Sequence, residues 1–356
     1  MLEYKCPSCG GTLEFDTATQ MLKCPYCDSV YDVEALTEQL EDRETDLGQE
    51  EDAPLSHESD EWVDENLLVY VCESCGGEVI GDRSMGATTC PYCGNNIVIT
   101  KQFEGALKPD FIMPFKVDRD AAIKAMKSYF KGKKLLPRTF SSESSLQEIK
   151  GVYVPFWLYD MDADGTAVFE GTRTRHWSDS RYNYTETSYF ECMRSGKASF
   201  TGIPADASSK MPDDLMDSIE GYDYSEMVPY NSGYLAGFYA DKYDLDAESQ
   251  AERVKNRAKQ TVKDDLKNTV LGYVTVTEKQ SNISTTSRKY RYALLPVWIL
   301  NTKWNGRNFT FAMNGQTGKF VGNLPMDKGL YGMYFAISGL IGFAAAFLAA
   351  FLFSLL

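Results

Sequence analysis

The feature that most constrains this chain is the placement of its cysteines, eight of which form two matching sets. In each set, fourteen residues separate two Cys-x-x-Cys pairs. Each pair can present two thiolates to one metal ion, and this spacing is typical of a four-cysteine zinc ribbon. The sequence therefore predicts two Zn²⁺ ions, one per set. The predicted ligands are Cys6, Cys9, Cys24 and Cys27 in the first set, and Cys72, Cys75, Cys90 and Cys93 in the second.

Other uses of these thiols stay open. Iron also suits a four-thiolate cage. A redox role would use the same thiols, whereas disulfides would need an oxidising compartment. Zinc is the favoured assignment, and four thiolates would close its coordination shell, which indicates a structural site. A ribbon of about 30 residues is too small for a core of its own, so metal binding would supply its folding free energy. The ninth cysteine, Cys192, is expected to be a buried apolar side chain.

The C-terminal segment carries no charged residue from Leu330 to Leu356. A helix over residues 331–356 would be about 39 Å long, and a bilayer core requires ~20 residues. We predict a transmembrane helix at 330–354. The nearest basic residues, Lys319 and Lys328, precede it, and the N-terminus has no apolar signal sequence. These features predict a tail-anchored, single-pass protein of the cell membrane with its N-terminal bulk in the cytoplasm.

Small residues recur at every fourth position of this segment, at Ser338, Gly342, Ala346 and Ala350. Such a face allows two membrane helices to approach closely, which would permit self- or hetero-association. Gly and Ala are also common in membrane helices for other reasons, so both interpretations stand.

The formal net charge of −15 is concentrated in one segment. Residues 34–65 contain fourteen acidic residues and one basic residue, Arg43. We predict an acidic, flexible linker at 33–67, with a short helix at 32–40. An acidic bait for a basic partner is the alternative. The flanking ribbons, 1–32 and 68–100, have few basic residues, so nucleic-acid binding is not expected and protein docking is favoured.

The middle region, residues 101–325, contains an internal match at an offset of 141 residues. Pro155-Phe-Trp157 corresponds to Pro296-Val-Trp298, and each is followed by a matching Gly. We predict an α+β fold of two units, about 101–205 and 206–325, as one domain or two. Each unit would have a helix, at 121–130 after Asp118 or Asp120 and at 247–266 after Asp246, then a strand, a turn and a return strand. The turns are expected at 162–165 and 303–306, and each Pro indicates a sheet edge or bulge.

Residues 173–190 mix Arg with aromatic residues. The segment is expected to form exposed hairpin strands, or a surface for lipid headgroups or a partner. The chain has two histidines, His57 and His176, and lacks a phosphate-binding Gly-Lys-Ser/Thr loop, a Gly-x-Ser-x-Gly motif and a His-Glu-x-x-His motif. We therefore expect no enzymatic activity.

Paired ribbons with Cys-Pro-x-Cys turns, Pro-x-Trp strands and a C-terminal span resemble a family of bacterial, mostly Firmicute, membrane proteins described as general transcription factor IIB-type zinc ribbon proteins. Related chains also carry replication-restart helicase names, which conflict with the missing phosphate loop. The resemblance covers the layout of the whole chain, and its specific motifs are the eight cysteines and the two Pro-x-Trp segments.

Members of that family occur beside phage-shock-protein-A-like and flotillin-like proteins and are implicated in recruiting them to the membrane under envelope stress. The resemblance therefore implies a non-catalytic membrane scaffold that recruits cytoplasmic proteins. The alternative is a membrane-tethered zinc ribbon factor that associates with nucleic acid or a polymerase.

Overall fold

The structure is a computed structural model that describes residues 4–41, 61–82, 89–95 and 97–354. The described residues form both helices and strands. The helices are α1 (Val33–Glu41), α2 (Arg119–Phe130), α3 (Glu143–Leu146), α4 (Asp213–Ile219), α5 (Ala247–Asn268) and α6 (Lys328–Ser354). The strands are β1 (Glu14–Asp16), β2 (Met21–Lys23), β3 (Val30–Tyr31), β4 (Glu61–Val71), β5 (Glu78–Asp82), β6 (Val98–Leu107), β7 (Phe111–Ile112), β8 (Lys150–Ser178), β9 (Asn183–Asp206), β10 (Val228–Pro229), β11 (Tyr239–Asp241), β12 (Thr275–Trp304), β13 (Arg307–Asn314) and β14 (Phe320–Gly322).

These strands form a small sheet and a large one. The small sheet has the order β1-β2-β3 and carries the first cysteine set. The large sheet has the order β10-β7-β12-β8-β11-β5-β4-β6, with β9 beside β8, β13 beside β12, and β14 beside β13. The predicted α+β class is confirmed at this level. Helix α2 begins directly after Asp118, whose carboxylate accepts a hydrogen bond from the Ala121 N–H, so the predicted cap is correct.

The two Pro-x-Trp segments lie side by side at the centre of the large sheet. Strands β8 and β12 are antiparallel, and Val154 lies opposite Leu295. Each strand changes its outer neighbour at its proline: β8 pairs with β11 as far as Tyr153 and with β9 from Phe156. In the same way, β12 pairs with β7 before Pro296 and with β13 after it. A residue without an N–H is tolerated at such a change of partner, because the missing donor has no ladder bond to make.

The tryptophans of the two segments make matching contacts with the other half of the region. Trp157 Nε1 donates to Leu245 O at 2.8 Å, two residues before α5. Trp298 Nε1 donates to Val117 O, also at 2.8 Å, two residues before α2. Both indoles are 3% exposed. Each tryptophan therefore fixes the entry into the helix of the opposite half.

The turn predicted at 162–165 is wrong. Strand β8 continues through these residues to Ser178, and the chain reverses at 179–182. Asp164 forms an ion pair with Lys197 on the neighbouring strand, and Gly165 lies against Ile283, whose Cγ1 would be 2.7 Å from an added Cβ. Asp164 and Gly165 thus make contacts between neighbouring strands, although an Asp followed by a Gly is typical of a turn. In the second unit the turn does fall at Asn305 and Gly306, as predicted.

The boundaries around the predicted acidic linker also differ from expectation. Helix α1 occupies its start, as expected, but β4 begins at Glu61 rather than after residue 67. Residues 42–60, most of the linker, lie outside the described residues. Strand β5 pairs with β11, and β6 extends past residue 100 to Leu107. The second cysteine segment is consequently part of the large sheet and not a separate ribbon.

Strands β8, β9 and β12 extend far beyond the rest of the sheet. We call residues 162–200 and 275–289 the arm. At about 3.3 Å per residue, a 29-residue strand such as β8 is about 95 Å long. Helix α5 packs on one face of the arm, where Val262 and Leu266 contact Phe169 and Cys192. Residues 173–189, which we call the arm tip, extend beyond this cluster and are mostly exposed.

The C-terminal helix α6 is long and apolar enough to cross a membrane. The stretch Lys328–Leu348 has a mean hydropathy of 1.6 and none of it is buried against the protein. The helix begins two residues before the predicted span, and the Asp327 carboxylate caps it by accepting hydrogen bonds from the N–H groups of Gly329 and Leu330. Ser338, Gly342 and Ala346 are exposed, and the Ala350 side chain lies outside the described part.

Candidate metal centres

The first cysteine set converges on one point beside the small sheet. The Sγ atoms of Cys6 and Cys27 are 3.4 Å apart, and those of Cys9 and Cys24 are 3.5 Å apart. All four sulfurs lie within 4.8 Å of one another. Four sulfurs at about 2.3 Å from a tetrahedral zinc would be about 3.8 Å apart, whereas a disulfide needs about 2.05 Å. The first set therefore fits a single four-coordinate metal ion and not a pair of disulfides.

The second set has the same geometry within the large sheet. Cys72 and Cys93 have their Sγ atoms 3.5 Å apart, and Cys75 and Cys90 have theirs 3.7 Å apart. These four sulfurs also lie within 4.8 Å of one another. The structure thus brings all eight cysteines identified in the sequence into two four-cysteine groups that could each hold a metal ion.

All four Cys-x-x-Cys turns have one backbone design. In each, the first cysteine's N–H donates to a carbonyl five residues on, and its carbonyl accepts from the N–H four residues on, as in Cys72 with Gly77 and Gly76. The residue after the second cysteine has a positive φ, which favours glycine. Gly10, Gly76 and Gly94 fill three of these positions, and Asp28, at φ 56°, fills the fourth. This geometry turns backbone N–H groups toward the sulfurs.

The effect of these N–H groups on the thiols is favourable for metal binding. Burial raises the pKa of Cys6, but hydrogen bonds from Tyr31 and from the backbone of Cys9 and Ser8 outweigh it and lower the pKa to about 6. In the second set, burial opposes backbone hydrogen bonds that lower the pKa of Cys72 to about 7. The pKa of Cys27 is also lowered, chiefly by hydrogen bonds from Ser29, whereas burial raises the pKa values of Cys75 and Cys90. A thiolate is the form that binds a metal ion, so each site has at least one ligand that is ready to bind near neutral pH.

The two sites differ in their exposure. In the first set, Cys9 and Cys27 are exposed, whereas in the second set Cys75 alone is exposed. The first set is held to the body through the small sheet, where the Phe15 N–H donates to Ala236 O at 3.1 Å and Phe15 packs on the Tyr234 ring.

The second site is embedded in a polar network that sequence reasoning missed. Its turn residue Tyr92 is 8% exposed and lies under the Lys210 ammonium, 5.9 Å from the ring centroid. Lys210 Nζ donates to the fully buried Asp241 carboxylate at 2.8 Å and to Glu78 O at 3.2 Å. These residues come from distant parts of the chain, so no local pattern could have identified them.

The ninth cysteine and the two histidines belong to neither cysteine set. Cys192 is buried against α5, as expected, and far along the chain from both sets. His176 is exposed in the arm tip and shares a hydrogen bond with Thr185 at 2.9 Å, while His57 lies outside the described residues. With four sulfurs around each centre, a bound ion would have no open coordination position, which suits a structural role.

Comparison with known proteins gives one informative match. No protein-family model matches the chain. No solved structure matches it significantly. The chain is 33% identical over 356 residues to a Bacillus subtilis (strain 168) protein described as uncharacterized protein YdjG, and the match covers 100% of this chain and 98% of that protein. The chain therefore belongs to the family of Bacillus subtilis YdjG.

Proposed function

We propose that this protein is a non-catalytic, membrane-anchored scaffold that recruits cytoplasmic proteins, and that two structural Zn²⁺ ions stabilise its fold. One observation carries the proposal: the helix that could cross a membrane and the exposed arm tip lie at opposite ends of the same strands. A protein built in this way can hold a partner at a fixed distance from the bilayer.

The direction of β12 establishes this arrangement. At one end, Thr275 pairs with Thr172 in the arm. At the other, β13 returns from Trp304, and β14 then runs back in the same direction before the chain enters α6. The 24 steps from Thr275 to Ile299 correspond to about 80 Å at 3.3 Å per residue. The anchor therefore leaves the molecule far from the arm tip.

The arm tip has the chemistry of a protein-binding surface. Trp177 is 45% exposed and stacks on Tyr184, with ring centroids 5.4 Å apart and an interplanar angle of 12°. The Arg175 guanidinium lies over the Trp177 ring at 5.6 Å, and Tyr182 is 64% exposed. Trp, Tyr and Arg are the residues enriched at the centres of protein interfaces. Because the tip lies at the end remote from the anchor, a partner protein is favoured over lipid headgroups there.

The zinc assignment is supported by the all-sulfur donor sets and their separations, which suit a closed tetrahedral shell. The internal duplication is supported by the matched partner changes at Pro155 and Pro296 and by the reciprocal hydrogen bonds of Trp157 and Trp298. In this proposal the duplicated centre and the two metal sites form the rigid base of the arm. Phage-shock-protein-A-like and flotillin-like proteins are the proposed partners, on the basis of the family resemblance.

The proposal is tested by crosslinking in native membranes followed by purification of the full chain. We expect the double variant Trp177→Ser and Tyr184→Ser to lose a cytoplasmic protein that the unmodified chain retains, and that protein to leave the membrane fraction. Tyr26→Ser, which changes an exposed aromatic residue on the first cysteine set, is the control. Loss of the partner from the control, with retention by the tip variant, would assign recruitment to the metal site and contradict the arm proposal.

A second candidate, association with nucleic acid, is favoured by one observation: the Arg175 guanidinium lies over Trp177, one ring of the stacked aromatic pair of the tip. Stacked aromatic residues with nearby Arg are a pattern of single-strand binding. If this candidate is correct, the purified chain will retain single-stranded RNA or DNA in a manner that weakens steeply with salt. If the purified chain retains no nucleic acid even at low salt, this candidate function is excluded.

A further inference from the structure

The segment between α2 and α3 is strongly basic, and it lies beside the start of α6. Residues 131–138 read Lys-Gly-Lys-Lys-Leu-Leu-Pro-Arg, and no acidic residue occurs between Lys131 and Ser142. We call residues 131–138 the basic loop. Its four charged side chains, Lys131, Lys133, Lys134 and Arg138, are all exposed.

A direct backbone contact ties this loop to the membrane helix. The Asp327 N–H donates to Leu135 O at 2.9 Å, and Asp327 is also the residue that caps α6. Lys134 precedes Leu135 and is about 3.8 Å from it between Cα atoms. The basic loop therefore lies at the level where α6 leaves the body of the protein.

The loop is held in one conformation by its own hydrogen bonds. The N–H groups of Lys133, Lys134 and Leu136 donate to the carbonyls of Phe130, Gly132 and Lys133 at 3.0–3.2 Å. Gly132 has φ 82°, a backbone conformation that permits this tight path. Leu136 packs against the core from the inner side. The lysines are consequently fixed on the outer side, and their placement does not depend on a bound ligand.

The cations of the loop form no ion pair within the described protein, although Lys133 Nζ lies over the Tyr129 ring at 5.1 Å. Among the ion pairs of the described residues, none involves Lys131, Lys133, Lys134, Arg138 or the adjacent Lys328. Two carboxylates near the loop have other partners: Glu143 pairs with Lys127 at 3.0 Å, and Asp327 accepts hydrogen bonds from the backbone of α6. Five cations thus share one surface at the foot of the anchor.

We propose that the basic loop and Lys328 form a docking surface for the anionic lipid headgroups of the leaflet that α6 enters. Basic residues next to a membrane helix are attracted to an anionic leaflet, on the order of fivefold in affinity per side chain near the surface. Tyr331 and Tyr334, both exposed on the first turns of α6, lie where aromatic residues favour the interface. The surface fixes the tilt of the body on the bilayer and so the direction in which the arm points.

This inference rests on the proposed membrane anchorage, and its test separates the two. The full chain is reconstituted into bilayers of phosphatidylcholine that contain spin-labelled phosphatidylglycerol or spin-labelled phosphatidylcholine. Electron paramagnetic resonance then gives the relative affinity of the protein surface for each lipid. We expect selectivity for phosphatidylglycerol that decreases about threefold or more in the triple variant Lys131→Gln, Lys133→Gln and Lys134→Gln, and that also decreases at 1 M salt.

The charge-matched control is Lys255→Gln, Lys259→Gln and Lys267→Gln on α5, which should retain the selectivity of the unmodified chain. The loop contacts Asp327 through its backbone, so the thermal unfolding temperature of the triple variant should stay unchanged. Equal selectivity in the triple variant, the control and the unmodified chain would overturn the docking surface. Release of the unmodified chain from membranes by alkaline carbonate would instead contradict the anchorage itself.

Discussion

At the residue scale, two tryptophan side chains connect the central strands of the large sheet to the starts of two helices. Trp157 and Trp298 come from matching positions of the sequence, and each donates to the carbonyl that lies two residues before a helix. The indoles that donate are 3% exposed, and a carbonyl that loses its donor costs free energy where water does not replace the bond. These two indoles therefore position α5 and α2 against the central strands.

We predict that Trp298→Phe and Trp157→Phe each lower the free energy of unfolding by about 1–2 kcal/mol, since each removes one buried donor and retains an aromatic ring. Thermal unfolding of the full chain in detergent measures the effect as a lower Tm. Trp304→Phe is the control, because no hydrogen bond of its indole is described. An unchanged Tm in both variants would show that the carbonyls find other donors.

Arg253 is the second residue with a specific expected effect. Its Nη1 donates to Asp206 at 2.8 Å and its Nη2 to Asp217 at 2.6 Å, and Asp206 is 1% exposed. Arg253→Met should destabilise the chain by about 3–5 kcal/mol, because it leaves a buried carboxylate without its cation. Lys259→Met on the same helix should change stability by less than about 0.5 kcal/mol.

This loss should depend on pH with a definite sign. Burial raises the pKa of Asp206, and the hydrogen bond and charge of Arg253 lower it. Without Arg253 the raised pKa makes the folded state bind a proton more readily than the unfolded state. The destabilisation should therefore be smaller at pH 5 than at pH 8. A loss that grows as the pH falls would contradict a buried, uncompensated carboxylate.

At the element scale, the two cysteine sets have the same local geometry but different environments. The first set exposes Cys9 and Cys27, whereas the second exposes Cys75 alone and lies among the strands at one end of the large sheet. A chelator must reach the sulfurs directly or after local opening, and opening is more costly for a set with three buried cysteines in a large sheet than for one with two in a three-stranded sheet.

We therefore expect two-phase metal release, with the first set losing its ion faster. The measurement is zinc transfer to a colorimetric chelator, compared between Cys27→Ser and Cys93→Ser variants of the full chain. Cys27→Ser should remove the fast phase and Cys93→Ser the slow one. A single phase that both variants alter equally would contradict the difference in enclosure.

Sequence reasoning succeeded for elements whose signals are local. Cysteine spacing, the cap at Asp118 and the uncharged C-terminal segment each act within a few residues or along one helix, so they could be read directly. The exposed hairpin at 173–190 was predicted correctly. The length of the arm was missed because it depends on pairing between residues more than a hundred positions apart, as between Asp164 and Ser284. Gly165 suggested a turn. The structure shows that a larger side chain there would collide with Ile283, which lies on another strand. The Lys210–Asp241 pair was missed for the same reason.

At the scale of the whole molecule, the body and α6 meet over a short segment. The described contacts there include the Asp327–Leu135 hydrogen bond, and none of the stretch Lys328–Leu348 is buried against the body. A chain that ends at Pro325 should therefore appear in the soluble fraction with the same metal content as the full chain. Aggregation with loss of metal would show that α6 contributes to the fold of the body.

The measurement that tests the central claim most directly is site-specific photocrosslinking in living cells. A photoreactive phenylalanine analogue is placed at Tyr182 in the arm tip and, in a second strain, at Tyr26 on the first cysteine set. The account predicts a covalent adduct with a cytoplasmic protein from position 182, and loss of that adduct when Trp177 is changed to Ser in the same chain. Adducts from position 26 with none from position 182, or nucleic acid as the sole product, would contradict it.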